Sequence, residues 1–234
     1  MPVSFFRMAA KDVPCDEAEA ARYLGYAKNA PPDDAVAELV HGTCADLQKI
    51  LAPQAVYDTY PLAHGPDGTL LFAGTKLRSV DLSRNLERCS KVVLFAATVG
   101  PQVDLLIRRT QLQDKACAAV LQGAGAMFIE SFVDSLNDKI RMDKEASGGR
   151  TRPRYSPGYG DVPLSVQRLF FSLLPCGRIG LSLMDTLIMA PEKSVTAFIG
   201  IQQAGVSDEI LSGAYVQDPC WKTGENTVYS TEIL

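Results

Sequence analysis

Apolar residues spaced by threes and fours at Cys117, Val120, Leu121, Ala124, Met127, Phe128, Phe132, Leu136 and Ile140 predict one long core helix, the strongest periodic signal in the chain. Two shorter helices precede it. Asp16 with an acidic first turn starts one that ends near Gly25. Pro31-Pro32-Asp33-Asp34 opens another, which carries Val36, Leu39, Val40, Leu47, Ile50 and Leu51 on one side and stops at Pro53. Runs of β-formers at residues 54–60 and 69–72 flank Gly65-Pro66-Asp67-Gly68, a turn signal that predicts two antiparallel strands. A short helix over 81–89 leads into Lys91-Val-Val-Leu-Phe-Ala-Ala-Thr98, an apolar run of strand length, and Gly100-Pro101 opens the next helix. Beyond the core helix, Asp161 and Pro163 begin a helix through Leu164, Leu169, Phe170 and Leu174, ended by Pro175 and Gly177. Residues 179–189 and 194–201 read as a β-hairpin around Pro191-Glu-Lys.

Length and charge narrow the classes. A chain of 234 residues with 47% apolar content can bury a large core, and one domain spanning 1–234 is the expectation. The formal charge of -4 argues against nucleic acid or an anionic membrane as partner. No run of 18 apolar residues occurs and the first 13 residues carry charges, so a cytoplasmic protein is expected. The six cysteines, Cys15, Cys44, Cys89, Cys117, Cys176 and Cys220, have no C-x-x-C spacing and are expected to be reduced thiols. His41 and His64 belong to no metal motif, and no metal site is expected.

The candidate chemistry lies in residues 150–163, Arg-Thr-Arg-Pro-Arg-Tyr-Ser-Pro-Gly-Tyr-Gly-Asp-Val-Pro. Arginine offers a planar fork of donors to a carboxylate or phosphate, glycine lets a ligand approach the backbone, and tyrosine adds a flat face with a polar tip. Such a loop suits a ligand with an acidic end and an aromatic ring. It reads equally well as a plain turn with solvated arginines. Gly123 and Gly125 begin like a dinucleotide fingerprint, but they sit inside a helical pattern, which favours close helix packing, and no phosphate-binding G-x-x-x-x-G-K-[ST] loop occurs.

Arg154-Tyr-Ser-Pro-Gly-Tyr159, followed by Met189-Ala-Pro-Glu-Lys-Ser-Val195, resembles the activation domain of cobalamin-dependent methionine synthase. That family's S-adenosylmethionine loop has the form Arg-Pro-x-Pro-Gly-Tyr, and a Met-x-Pro-x-x-Ser-Val turn lies downstream. Arg22-Tyr-Leu-Gly-Tyr26 and Ala96-Ala-Thr-Val-Gly100 are similar to standalone members, so the likeness covers most of the chain. It implies an α+β fold, a bent antiparallel sheet packed with helices. It also implies that Arg154 holds the carboxylate of S-adenosylmethionine, that the backbone at Ser156 and Gly158 lines the adenosyl part, and that Tyr159 lies close to it. The chain departs from the family at Tyr155, where Pro is found, and at Ser156, where Ala is usual.

Neither histidine lies in the Asp-x-His-x-x-Gly context that presents an imidazole to cobalt, and the zinc-binding cysteines that activate homocysteine are missing. The resemblance therefore implies an accessory, not itself catalytic: a separate activation subunit in vitamin B12-dependent methionine biosynthesis. Its partners would be a cobalamin-dependent methionine synthase or another corrinoid protein, which carries the cobalamin, and a flavodoxin-like electron donor. Two rivals stand beside it, an S-adenosylmethionine or nucleotide sensor and a small-molecule methyltransferase, both without a corrinoid partner.

Overall fold

The computed structural model describes residues 3–203 except residue 28. The polar tail from Ser207 onward, with Cys220 and the single Trp, lies outside the described residues. In chain order the elements are β1 (Ser4–Arg7), α1 (Glu17–Tyr23), α2 (Asp34–Gln48), β2 (Gln54–Pro61), β3 (Ala63–His64), β4 (Thr69–Phe72), β5 (Thr75–Arg78) and α3 (Val80–Asn85). There follow β6 (Lys91–Thr98), α4 (Pro101–Gln111), α5 (Lys115–Glu145), β7 (Gly149–Thr151), α6 (Gln167–Leu173), β8 (Ser182–Leu183), β9 (Met189–Ala190) and β10 (Ser194–Gln203).

Helix starts follow capping chemistry. The carboxylates of Asp16, Asp33 and Asp114 accept from the amides of Glu19, Val36 and Cys117 at 2.9–3.0 Å, which satisfies backbone donors that a helix leaves open at α1, α2 and α5. Pro101 opens α4, where its missing N–H costs nothing.

The main sheet is antiparallel with strand order β1-β2-β6-β10-β7. β6 is its centre, paired along its whole length with β2 (Val56↔Ala96) and with β10 (Phe198↔Leu94). Burial on both faces explains its unbroken apolar run. Val93, Phe95 and Ala97 face α1, α2, α4 and α5, while Val92, Leu94 and Ala96 face α3, α6 and the three-stranded sheet β3-β4-β5. Phe198 of β10 anchors that second core, with ring centroids 4.7 Å from Phe170 and 5.8 Å from Phe72. The expected fold class, α+β with a bent antiparallel sheet and helices, is the observed one.

α5 runs through the helical layer, and its glycines are contact points. A Cβ on Gly123 would stand 3.1 Å from the Ala20 carbonyl of α1, and one on Gly125 would stand 3.1 Å from Val103 of α4. Close helix packing is therefore their role. By length and composition α5 could cross a membrane, but 61% of its apolar window is buried within the fold.

Two expectations on pairing and one on helix length need correction. The 65–68 turn joins β3 to β4, whereas β2 pairs with β1 and β6, so the two runs read as neighbours lie in different sheets. Residues 179–189 do not form a hairpin with 194–201. Ser182–Leu183 pairs with Met189–Ala190, and β10 crosses into the main sheet between β6 and β7. The helix expected over 81–89 is the shorter α3. β1, β5 and β7 were not foreseen.

Candidate functional site

The candidate loop leaves the edge strand β7 and keeps hold of β10. The Arg152 amide donates to the Gly200 carbonyl at 2.9 Å, and Tyr155 and Phe198 exchange both backbone bonds at 2.9 and 2.8 Å. Two residues lie between Arg152 and Tyr155, while only one lies between Gly200 and Phe198, so the loop side carries one extra residue, a β-bulge at Pro153-Arg154. Pro153 has no N–H to give to the ladder, and the bulge spares it that role. The bulge also breaks the alternation of side chains. Arg152 turns to the second core, where its Nε donates to the Asn85 carbonyl at 2.9 Å, and Tyr155 packs against that same core. Arg154 is sent the other way, onto α5.

There the Arg154 guanidinium bridges Glu130 and Asp134, carboxylates one helical turn apart, with one terminal nitrogen on each. The arginine side chain is 21% exposed, Glu130 26% and Asp134 66%, so the site opens toward solvent on the Asp134 side. Burial raises the pKa of Glu130. Arg154 opposes this, Asp134 and Glu19 add to it, and the net displacement is upward. For Arg154 burial pulls downward, but Glu130 and Asp134 outweigh it and the guanidinium stays cationic. α1 completes the cluster. Arg22 grips Glu19 through a fork of 2.7 and 2.6 Å bonds, and the Tyr23 phenol is pushed up to about 12, first by burial and then by Glu130 and Glu19.

Beyond Arg154 the loop closes in a tight turn. The Gly158 amide donates to Val162 at 2.9 Å, the Val162 amide donates back to Tyr159 at 3.0 Å, and Val162 is buried. Gly158, at φ 92°, is exposed, as a backbone must be if a ligand is to approach it. Tyr159 is 37% exposed and Ser156 is half-buried. The four residues singled out from the sequence thus share one loop but fall into two parts: Arg154 against α5, and the turn at Gly158-Tyr159. Sequence reasoning missed Glu130, Asp134, Glu19 and Tyr23, which give Arg154 its setting. The available signal was an acidic i, i+4 pair in α5, the longest of the described helices.

Other features lie apart. A cleft of ≈ 380 Å³ near the C-terminal end of α5 is lined by Ser4, Tyr57, Asp58, Thr59, Ile140, Asp143 and Lys144, and by no loop residue. His41 contacts Glu17 at 2.7 Å and His64 contacts the Cys89 carbonyl at 2.9 Å. Of the described cysteines Cys44, Cys89 and Cys176 are buried, and all five are thiols.

The architecture is a curled antiparallel sheet packed with helices, with the Arg/Gly/Tyr loop leaving its edge strand β7. Among solved structures, the chain is similar to the MetH reactivation domain bound to AdoHcy, with a TM-score of 0.66 at 15% identity over 88% of this chain and 80% of that one. The fold is that of the MetH reactivation domain. No protein-family model and no curated protein matches the sequence.

Proposed function

We propose that the chain binds S-adenosylmethionine at the 154–159 loop and serves as a reactivation component for a cobalamin-dependent methyltransferase, most simply a methionine synthase. The observation that carries this reading is the fold likeness to a reactivation domain that holds AdoHcy, the product left when S-adenosylmethionine gives up its methyl group. The charges around the loop support it. Arg154 uses one N–H at each end of its fork on Glu130 and Asp134, which leaves further donors for a ligand carboxylate. The carboxylates suit an ammonium and a sulfonium, and the exposed Gly158 backbone and Tyr159 ring suit an adenosyl group. In this reading Arg154, Ser156, Gly158 and Tyr159 hold the ligand.

S-adenosylmethionine supplies the methyl group, and a corrinoid partner supplies the cobalt that receives it, with an electron from a flavodoxin-like donor. The chain's own part is positioning. Arg154 fixes the amino-acid end, the Gly158-Tyr159 turn fixes the nucleoside end, and the methyl between them is presented to a docked partner in one orientation. Neither a general acid nor a general base is required of it.

The test uses the full chain. Calorimetric titration should detect S-adenosylmethionine binding, and Arg154→Ala should weaken it at least about tenfold, since truncating one half of a charge pair loses roughly 2–5 kcal/mol. Arg154→Lys should recover only part, because the charge returns without the fork. Mixed with a methionine synthase lacking its own activation domain, in the cob(II)alamin state and with a reductant, the wild type should speed the appearance of methylcobalamin absorbance. Consumption of S-adenosylmethionine without any corrinoid protein would replace this reading with a methyltransferase.

A further inference from the structure

The far end of the candidate loop is fastened to α3, an element that takes no part in the Arg154 cluster. The Asp161 carboxylate accepts from the Ser79 hydroxyl, from the Val80 amide at 2.6 Å and from the Asp81 amide at 3.3 Å. In return the Asp161 amide donates to the Asp81 carboxylate at 3.2 Å. Ser79 also caps α3 directly, accepting from the Leu82 amide at 2.9 Å. Loop and helix thus hold each other by reciprocal bonds, a capping arrangement in which one partner is about eighty residues distant in sequence.

Tyr155 closes the clasp from the other side. Its backbone is locked to Phe198, its ring packs against the second core, and its hydroxyl donates across the loop to the Tyr159 carbonyl at 3.2 Å. Between these anchors stands Gly160, at φ 52°, where a Cβ would collide with the Tyr155 hydroxyl and the Asp81 carboxylate. The charged groups on the α3 side are Asp81 and Arg84, paired with each other at 3.6 Å.

We propose that Asp161 and Tyr155 are positioning residues, which clasp residues 155–161 to α3 and so hold the Gly158-Tyr159 turn in its ligand-binding shape before a ligand arrives. The inference rests on the S-adenosylmethionine reading of the loop and adds to it. Preorganisation raises affinity by removing the ordering entropy that a loose loop would lose on binding. Tyr155 is also where the chain departs from the Pro of the resembled motif. A proline there would stiffen φ by its ring; the tyrosine achieves order through a hydroxyl bond and a buried ring.

Hydrogen–deuterium exchange of the ligand-free full chain, compared among wild type, Asp161→Asn and Tyr155→Phe, reads the clasp without any ligand. Amides at Gly158, Val162 and Val80 should exchange faster in both variants, while those of β6 stay protected. Titration of the same three proteins with S-adenosylmethionine reads the consequence. Asp161→Asn should weaken binding by roughly tenfold, the scale of a hydrogen bond to a charged group, and Tyr155→Phe by less. Unchanged exchange in both variants overturns the clasp. Faster exchange with unaltered affinity overturns the positioning role. If exchange responds but the wild type does not bind S-adenosylmethionine, the clasp stands and the ligand reading fails. Tyr155→Phe removes a single hydroxyl and keeps the test valid should Asp161→Asn fold poorly.

Discussion

One extra residue at Pro153-Arg154 decides which face of the sheet receives the Arg154 side chain. Without the bulge Arg154, two residues on from Arg152, would share its face and point at the second core; with it, Arg154 meets Glu130 and Asp134. Asp161 makes the electrostatics testable by pH. Its burial would raise the pKa, but the bonds from Ser79, Val80 and Asp81 outweigh that and hold it below the usual carboxylate value. A depressed folded pKa contributes stability that is fully present above the unfolded value and is lost as pH falls through the folded one. The urea midpoint of Asp161→Asn should therefore lie below that of wild type at about pH 7, and the gap should shrink toward about pH 3. A gap that persists unchanged in acid would mean the aspartate acts by shape alone. At this scale the sequence was legible where chemistry is local. Arg154, Gly158 and Tyr159 stood out in one short motif, whereas Glu130 and Asp134 lay hidden because a helix periodicity assigns faces and does not say which distant loop will meet them.

Helices were easier to read than strand partners. The caps at Asp16 and Asp33, the Gly100-Pro101 start and the α5 stripe are set within a few residues of chain, so the sequence contains the whole cause. Pairing of β2 with β6 and of β6 with β10 is a long-range choice, and nearby turn signals drew the wrong partners. The contact between α1 and α5 offers a test of element packing. At Gly123 an added Cβ would stand 3.1 Å from the Ala20 carbonyl and 3.3 Å from Tyr23. Gly123→Val should destabilise the fold by about 1–3 kcal/mol through overpacking, and should displace Tyr23 from beside Glu130. Gly177→Ala is the matched control, since a Cβ there meets nothing within 4 Å; its urea midpoint should stay near that of wild type. Equal midpoints for both variants would show that the α1–α5 contact yields without strain.

At the scale of the molecule, the likeness of fold extends over 88% of the chain while identity is 15%, so two largely different sequences reach the same packing pattern. The same architecture sets the order of events when the protein is made. β6 needs β10 along one whole edge and needs α6 and its neighbours over one face, and all of these emerge later. At a synthesis rate of about 5–20 residues per second, the strand's final partner arrives roughly a hundred residues and several seconds afterwards. For that interval β6, buried at every position but Lys91 in the finished fold, is an open edge, the kind of surface that recruits other strands. A chain ending at residue 190, which keeps every helix of the described residues but lacks β10, should accumulate in inclusion bodies; a soluble product with a cooperative melt would contradict this. The reach of β6 across the sequence thus gives the nascent chain an apolar edge of the kind a holdase chaperone covers, until β10 is in place.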